Sequence, residues 1–317
     1  MRVNITDPKG NWDRAKTGKG KFAGRLIKAL EKQGIEIVQG VDQEADIALH
    51  IGRVHFVPKA RRQVLRLGPA HVNTSFPYKR LNKEKLVSAR RADAIIYQSQ
   101  YSKTVCEKFI FKPDVPSAII FNGADIDEMQ AIEPHHSDYG VNIMAATRVW
   151  LPQKRLKTIV RAFREADIKD SCLWICGDVG KYRKYSADNV KMPGVLPFQS
   201  LASIYRLCPV FVHIVYLDAC PNSVVEALAA GCGVVCTDQG GTREIVSGCG
   251  LVLKDKPYNF KPIDLYKPPK LSVETLSGAT KWLINQMTLL HSPLFSTSHI
   301  DINTIASQYI KFFESIL

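Results

Sequence analysis

The chain has 317 residues, enough for two domains that each bury a core, and its 45% hydrophobic and 23% charged residues are those of a globular protein. No run of 18 apolar residues occurs, and the start MRVNITDPKG has no apolar segment, so neither a membrane span nor a secretory leader is expected. The net charge of +13 is confined to residues 1–112, which hold 23 Lys and Arg against 10 Asp and Glu, while the remainder is balanced. Such asymmetry points to an acidic partner for the first third: an anionic membrane surface, a phosphate-linked lipid or nucleic acid.

In chain order, Met1–Thr6 reads as a short strand and Asp7–Gly20 as a Pro/Gly/Lys loop. Leu26, Ile27 and Leu30 then mark a helix over 22–30. Gly18, Gly20 and Gly24 miss the dinucleotide fingerprint by one residue, and no Walker A pattern fits. A phosphate-facing turn at Gly18 and Gly20 is nonetheless expected. Strands follow at 35–38, 46–51 and 64–67, the last leading into a loop that carries His71. A basic helix over 79–91, a buried strand over 94–98, a helix over 101–110 and a strand over 117–121 complete this half.

Residues 127–140 (DEMQAIEPHHSDYG) are polar and make the best linker, with His135-His136 read as part of it and not as a metal pair. Strands at 141–147 and 173–176, a short one at 192–198, and helices over 155–167 and 200–207 then alternate as in a parallel, doubly wound sheet. After an irregular, proline-rich stretch over 255–270, helices are expected near 272–289 and 302–316. None of the eight cysteines forms a C-x-x-C pair or lies at zinc-ligand spacing from His, so free buried thiols in a reducing cytoplasm, and no metal, are expected.

The chemistry concentrates at residues 210–246. An apolar strand over 210–217 runs into a loop with Asp218, and Pro221 and Asn222 break the chain. Ser223 and Glu226 have the spacing of a capping box, Gly231 ends the helix, and 233–237 is a second buried strand. Two buried strands so joined are parallel, which puts Asp218 at a carboxyl edge, where open α/β sheets bind ligands. The amides of Asn222, Ser223 and Val224 at a helix start suit a phosphate. A carboxylate on each side of that anion suits a diphosphate between two hydroxyl-rich sugars, although Glu226 as a cap and Asp218 as a solvated acid would equally fit the pattern. Arg148 and Lys154 flank the loop after strand 141–147, where a bidentate fork and a point charge would stabilise a departing diphosphate.

Glu226-Ala-Leu-Ala-Ala-Gly231, the strand after it and Gly240-Gly241-Thr-Arg-Glu244 resemble the donor signature of glycosyltransferase family 4, the retaining glycosyl transferases of group 1. Asp218 departs from the pattern, which usually has Glu. The turn Asn122-Gly-Ala-Asp125 also resembles the one that closes the family's N-terminal domain. The resemblance implies a GT-B fold, two Rossmann-like α/β domains facing across a cleft. Residues 1–138 would form the acceptor side and 139–299 the nucleotide-sugar side, with 300–317 crossing back to the first domain.

It further implies a metal-independent, retaining hexosyltransferase without a cofactor, moving a sugar from a nucleoside diphosphate to a glycan, glycolipid or other hydroxyl acceptor. Glu226 would hold the ribose, Asp218 the donor sugar, Arg148 and Lys154 the diphosphate, and the backbone at Leu196 to Phe198 the base. Gly18 and Gly20 would close on the donor, and His71 would touch acceptor or sugar. On this reading the protein is cytoplasmic and peripheral at an anionic membrane, and no nucleic acid is expected. A GT-B sugar-nucleotide epimerase, or a degenerate nucleotide-sugar-binding subunit, are the alternatives, since fold alone does not decide function.

Overall fold

The computed structural model describes residues 1–6, 18–289 and 296–317, so most of the loop expected over 7–20 lies outside the described residues. The chain divides into two compact units, residues 1–125 with 260–263 and 298–317, and residues 126–259 with 264–297.

The first unit holds β1 (Arg2–Asn4), α1 (Gly18–Lys32), β2 (Glu36–Val38), β3 (Ala45–Ile51), β4 (Ala60–Leu67), α2 (Tyr78–Ala89), β5 (Ala94–Tyr97), α3 (Gln100–Phe109) and β6 (Ser117–Ile119). The strands form one parallel sheet in the order β2-β1-β3-β4-β5-β6. Leu49, His50 and Ile51 of β3 and Val64, Leu65 and Arg66 of β4 are all buried in sequence, because helices cover both faces of such a sheet. β4 begins four residues before the apolar run at Val64, since Arg61 and Arg62 pair in the sheet while exposed to solvent.

The last helix of the chain, numbered α10 (Ile302–Ile316), completes this unit's core. Ile305, Tyr309 and Phe313 lie against α1, with the Tyr309 and Phe22 rings 6.4 Å apart. Ala124 binds the chain just before this helix through Ala124 N–H to Ile300 C=O (3.0 Å) and Ile302 N–H to Ala124 C=O (2.8 Å). Gly123 allows that approach, since a Cβ there would sit 2.9 Å from the Ile302 Cα.

The second unit holds α4 (Ile126–Gln130), β7 (Val141–Val149), α5 (Leu156–Ala166), β8 (Ser171–Asp178), β9 (Val190–Gly194), α6 (Phe198–Leu207), β10 (Val210–His213), α7 (Asn222–Ala229), β11 (Gly233–Thr237), α8 (Thr242–Val246), β12 (Gly250–Leu253) and α9 (Val273–Leu289). Its strands are also parallel, in the order β12-β11-β10-β7-β8-β9. The direction of winding reverses between β7 and β10, the place where such sheets open a crevice for ligands. Each unit is thus a parallel sheet flanked by helices, and the pair of Rossmann-like domains is the GT-B architecture expected above.

Two expectations are corrected. The boundary falls at Asp125–Ile126 and not near 138, because the supposed linker is bound to the second unit. Gln130 Nε2 donates to Ala229 C=O (2.7 Å), His135 N–H donates to Ser203 C=O (2.9 Å), and the His135 ring stands edge-on to Trp174. β12 was not foreseen either. It begins at Gly250, which lets the strand pass against Val234, where no Cβ would fit.

Candidate functional site

β10 ends at His213, four residues short of the apolar run that seemed to continue it. The chain leaves the sheet because Tyr216 N–H turns to Gln153 C=O (3.1 Å) and Leu217 takes a left-handed φ of 64°. This turn delivers Asp218 onto the Gly-Gly loop. Asp218 C=O accepts Gly241 N–H at 2.7 Å, and Gly240 (φ 105°) comes so near that a Cβ would lie 2.5 Å from the same oxygen. The two parts of the motif are therefore one piece of backbone, and glycine is required where they touch.

The Asp218 carboxylate lies 3.5 Å from Nε2 of buried His213. Burial pushes its pKa up, but His213, Lys154 and the Ala219 N–H overcome that and hold it below the ordinary carboxylate value. Lys154 reaches this place from a short 3₁₀ turn (Pro152–Lys154), its ammonium donating to Thr147 Oγ1 and to Val149 C=O (2.7 Å). Burial lowers the Lys154 pKa, with Asp218 opposing. Arg148 stands exposed near the end of β7, where the register against β8 shifts, and is not among the groups that stabilise Asp218. The structure thus brings Lys154 to Asp218 and leaves Arg148 at the rim.

The expected capping box does not form. α7 starts at Asn222 with Pro221 as its N-cap and no side-chain cap bond, which makes Ser223 an internal residue of the first turn. Pro221 C=O accepts from both Val224 N–H (3.1 Å) and Val225 N–H (3.3 Å), so the Val224 amide is committed within the turn. Glu226 is 4% exposed and sits one turn into the helix. A carboxylate so buried is held by the protein for a purpose other than solubility.

The remaining expected residues are more dispersed. Phe198 opens α6 and Leu196 precedes it, both half-buried, on the β9 side of the sheet with β7 and β8 between them and β10. Gly18 and Gly20 lie in the first turn of α1 and not in a turn before it. His71 belongs to the first unit, its backbone held by Asn82 through His71 N–H to Oδ1 (2.7 Å) and Nδ2 to His71 C=O (2.8 Å).

Sequence reasoning passed over two residues of this edge. Arg155, left-handed at φ 54° and 6% exposed, forms a fork to Asp255 (2.5 and 3.0 Å) and also donates to Ile214 C=O (3.2 Å) and Pro269 C=O (2.9 Å). Its guanidinium lies over the Tyr216 ring. It ties together the segments that follow β7, β10 and β12, and a partner 100 residues away leaves no local signal. His213 did carry one, as the lone ionisable residue in an apolar strand.

Among the described residues no group of three or more His, Cys, Asp or Glu side chains is placed to hold a metal ion. Residues 140–261 match the family of glycosyl transferases, group 1, over the portion that carries Lys154, Asp218 and Glu226. A comparison with curated proteins finds no match. Among solved structures, the fold is similar to sucrose-phosphate synthase from Thermosynechococcus elongatus (TM-score 0.71, 13% identity, covering 99% of this chain and 98% of that one). It is also similar to HepE of Anabaena in complex with UDP (TM-score 0.65, 14% identity, 99% and 100% covered). A glycosyltransferase from Rickettsia africae is similar too (TM-score 0.60, 12% identity, 99% and 98% covered). The chain therefore has a GT-B fold, and its residues 140–261 are similar to the group 1 glycosyl transferases.

Proposed function

We propose that this GT-B chain is a retaining glycosyltransferase that moves a hexosyl group from a nucleoside-diphosphate sugar to a hydroxyl of a glycan or glycolipid. The observation that carries the reading is the charge of Lys154 acting on the Asp218 carboxylate at the carboxyl edge, with Glu226 buried one turn into the next helix. UDP, the nucleotide in the HepE complex, is the first donor to test.

In this reading Lys154, joined by Arg148 from the rim, neutralises the charge that grows on the diphosphate as the glycosidic bond breaks. Stabilisation that strengthens in the transition state accelerates chemistry. Asp218 holds donor-sugar hydroxyls, its ionised form secured by His213 and Lys154, and Glu226 holds the ribose. The departing phosphate takes the acceptor proton on the same face, which retains the anomeric configuration and needs no separate general base. Gly18 and Gly20 would close on the donor, His71 would touch acceptor or sugar, and Leu196 and Phe198 would meet the base.

A peripheral position at an anionic membrane is part of the same proposal. It is supported by α2, whose exposed Lys79, Lys83 and Val87 recur at four-residue spacing beside Arg80, Arg90, Arg91 and the exposed Phe76. A cytoplasmic location is supported by eight cysteines that are all buried and unpaired. No helix among the described residues is long and apolar enough to cross a membrane. Incubation with UDP-sugars in excess chelator, with the product's anomeric configuration read by NMR, tests the assignment. Transfer with retention is expected; epimerised nucleotide-sugar as the sole product would replace it.

A further inference from the structure

The corresponding edge of the first unit gathers cations from four separate elements. Lys19 lies in the first turn of α1, which holds no acidic residue, and its ammonium lies so close over Gly52 that a Cβ there would overlap it. Arg53 follows β3, and Arg66 is the penultimate residue of β4, 2% exposed, with its guanidinium 4.1 Å above the Phe22 ring. Lys85 reaches from α2, 8% exposed, to the carbonyls of Gly68 (3.0 Å) and Pro69. His71 stands among them, near Lys85, Arg53 and Lys19.

Around Lys19, Arg53, Arg66 and Lys85, the last with its pKa lowered to about 8 by burial, the described residues supply one carboxylate, Glu84, and that one is bound to Arg53 at 2.7 Å. Arg66 donates from Nη2 to Asn122 Oδ1, but its Nε, fully buried, has no acceptor. The cations repel one another: burial, then Arg53 and Arg66, lower the pKa of Lys19. Burial, then Lys85, Arg53 and Lys19, push His71 down to about 4. Buried charge is ordinarily paired within the fold, and leaving it unpaired is costly. Here the side chains are held by Gly68, Pro69, Asn122 and Phe22, none of which neutralises them. The positive end of the α1 dipole adds to the same sign. A compact dianion would satisfy all of these groups at once, as charge-assisted bonds to phosphate do elsewhere.

We propose that Lys19, Arg53, Arg66, His71 and Lys85 form a binding site for a phosphate monoester. That this monoester is carried by the sugar acceptor rests on the glycosyl-transfer reading; the anion site itself does not. The shared chemistry admits two sources, a free sugar phosphate and the headgroup of a phosphatidic acid-like lipid.

The test uses the full chain and its Lys19→Gln and Arg53→Gln variants, which alter side chains outside the packed core. Binding of glucose 6-phosphate, inorganic phosphate, phosphatidylcholine vesicles with and without phosphatidic acid, and UDP is measured by calorimetry or co-sedimentation. Each variant should bind the phosphate probe at least about tenfold more weakly, a change of roughly 1.4 kcal/mol, and should bind UDP as before. Preference for glucose 6-phosphate assigns the monoester to a soluble acceptor, and preference for phosphatidic acid vesicles assigns it to a lipid. Equal phosphate binding by wild type and both variants overturns the site. So does an equal loss of UDP binding, which would give the cluster to the donor. Phosphate binding that depends on Lys19 in a protein that does not bind UDP would keep this site and sink the donor assignment.

Discussion

The two units repeat one architecture and use their carboxyl edges in opposite ways. In the second, opposite charges meet: Arg155 with Asp255, Lys254 with Asp238 at 3.3 Å, and His213 and Lys154 about Asp218. In the first, Arg66 and Lys85 rest on an amide, a ring and carbonyls, Lys19 lies over Gly52, and the one carboxylate among the described residues there, Glu84, serves Arg53. A parallel sheet therefore does not dictate the electrostatics of its own opening. The loops do, and a balanced edge stays rigid without a ligand while an unbalanced one stores repulsion that a ligand relieves.

The largest effect is expected where balance is removed. Arg155→Ala leaves Asp255, a fully buried side chain, without its fork and should lower stability by about 3–5 kcal/mol in urea denaturation. Lys19→Gln, which removes a repelled charge, should leave stability unchanged or raise it; equal losses in both variants would end the distinction between the edges. Next come Lys154→Ala and Arg148→Ala, each expected to lower kcat/KM by at least about a hundredfold, with the double variant costing less than the sum. Arg148→Lys should rescue only in part, because the bidentate fork is gone. Glu226→Gln should weaken UDP-sugar binding by more than about tenfold while the fold survives, since the amide fills the same buried space. Unchanged kinetics would return Glu226 to a purely structural role.

The smallest effect is a pH dependence of the unbalanced edge. With His71 held down to about 4 against an ordinary 6.5, the unfolded chain takes a proton below 6.5 that the folded chain refuses. Its contribution is present above pH 6.5 and is lost as pH falls towards 4. Thermal melts of His71→Gln should fall less steeply than wild type across that window, and parallel curves would show that the ring is already relieved by another group.

The second unit's site was legible because its parts are contiguous. Asp218, Glu226, Gly231 and Gly240-Gly241 occupy one strand-helix-strand passage, so spacing alone placed them at an edge. What misled was local inference pressed too far. The apolar run to Leu217 read as strand although Leu217 turns left-handed, and Ser223 with Glu226 read as a cap although Pro221 already starts the helix. The first unit's cluster could not be read at all. Lys19, Arg53, Arg66 and Lys85 are separated by 13 residues or more, and only the sheet order brings them together. Composition reported their surplus charge without its address.

The packing of α10 on α1 has a consequence for how the protein is made. Residues 1–125 are synthesised before α10, yet Phe22 and its neighbours in α1 must wait for Tyr309 and Phe313. The second unit, encoded in between, can complete its sheet earlier. The first unit, begun before the second, thus matures after it, and until α10 emerges its apolar α1 surface is a natural substrate for chaperones.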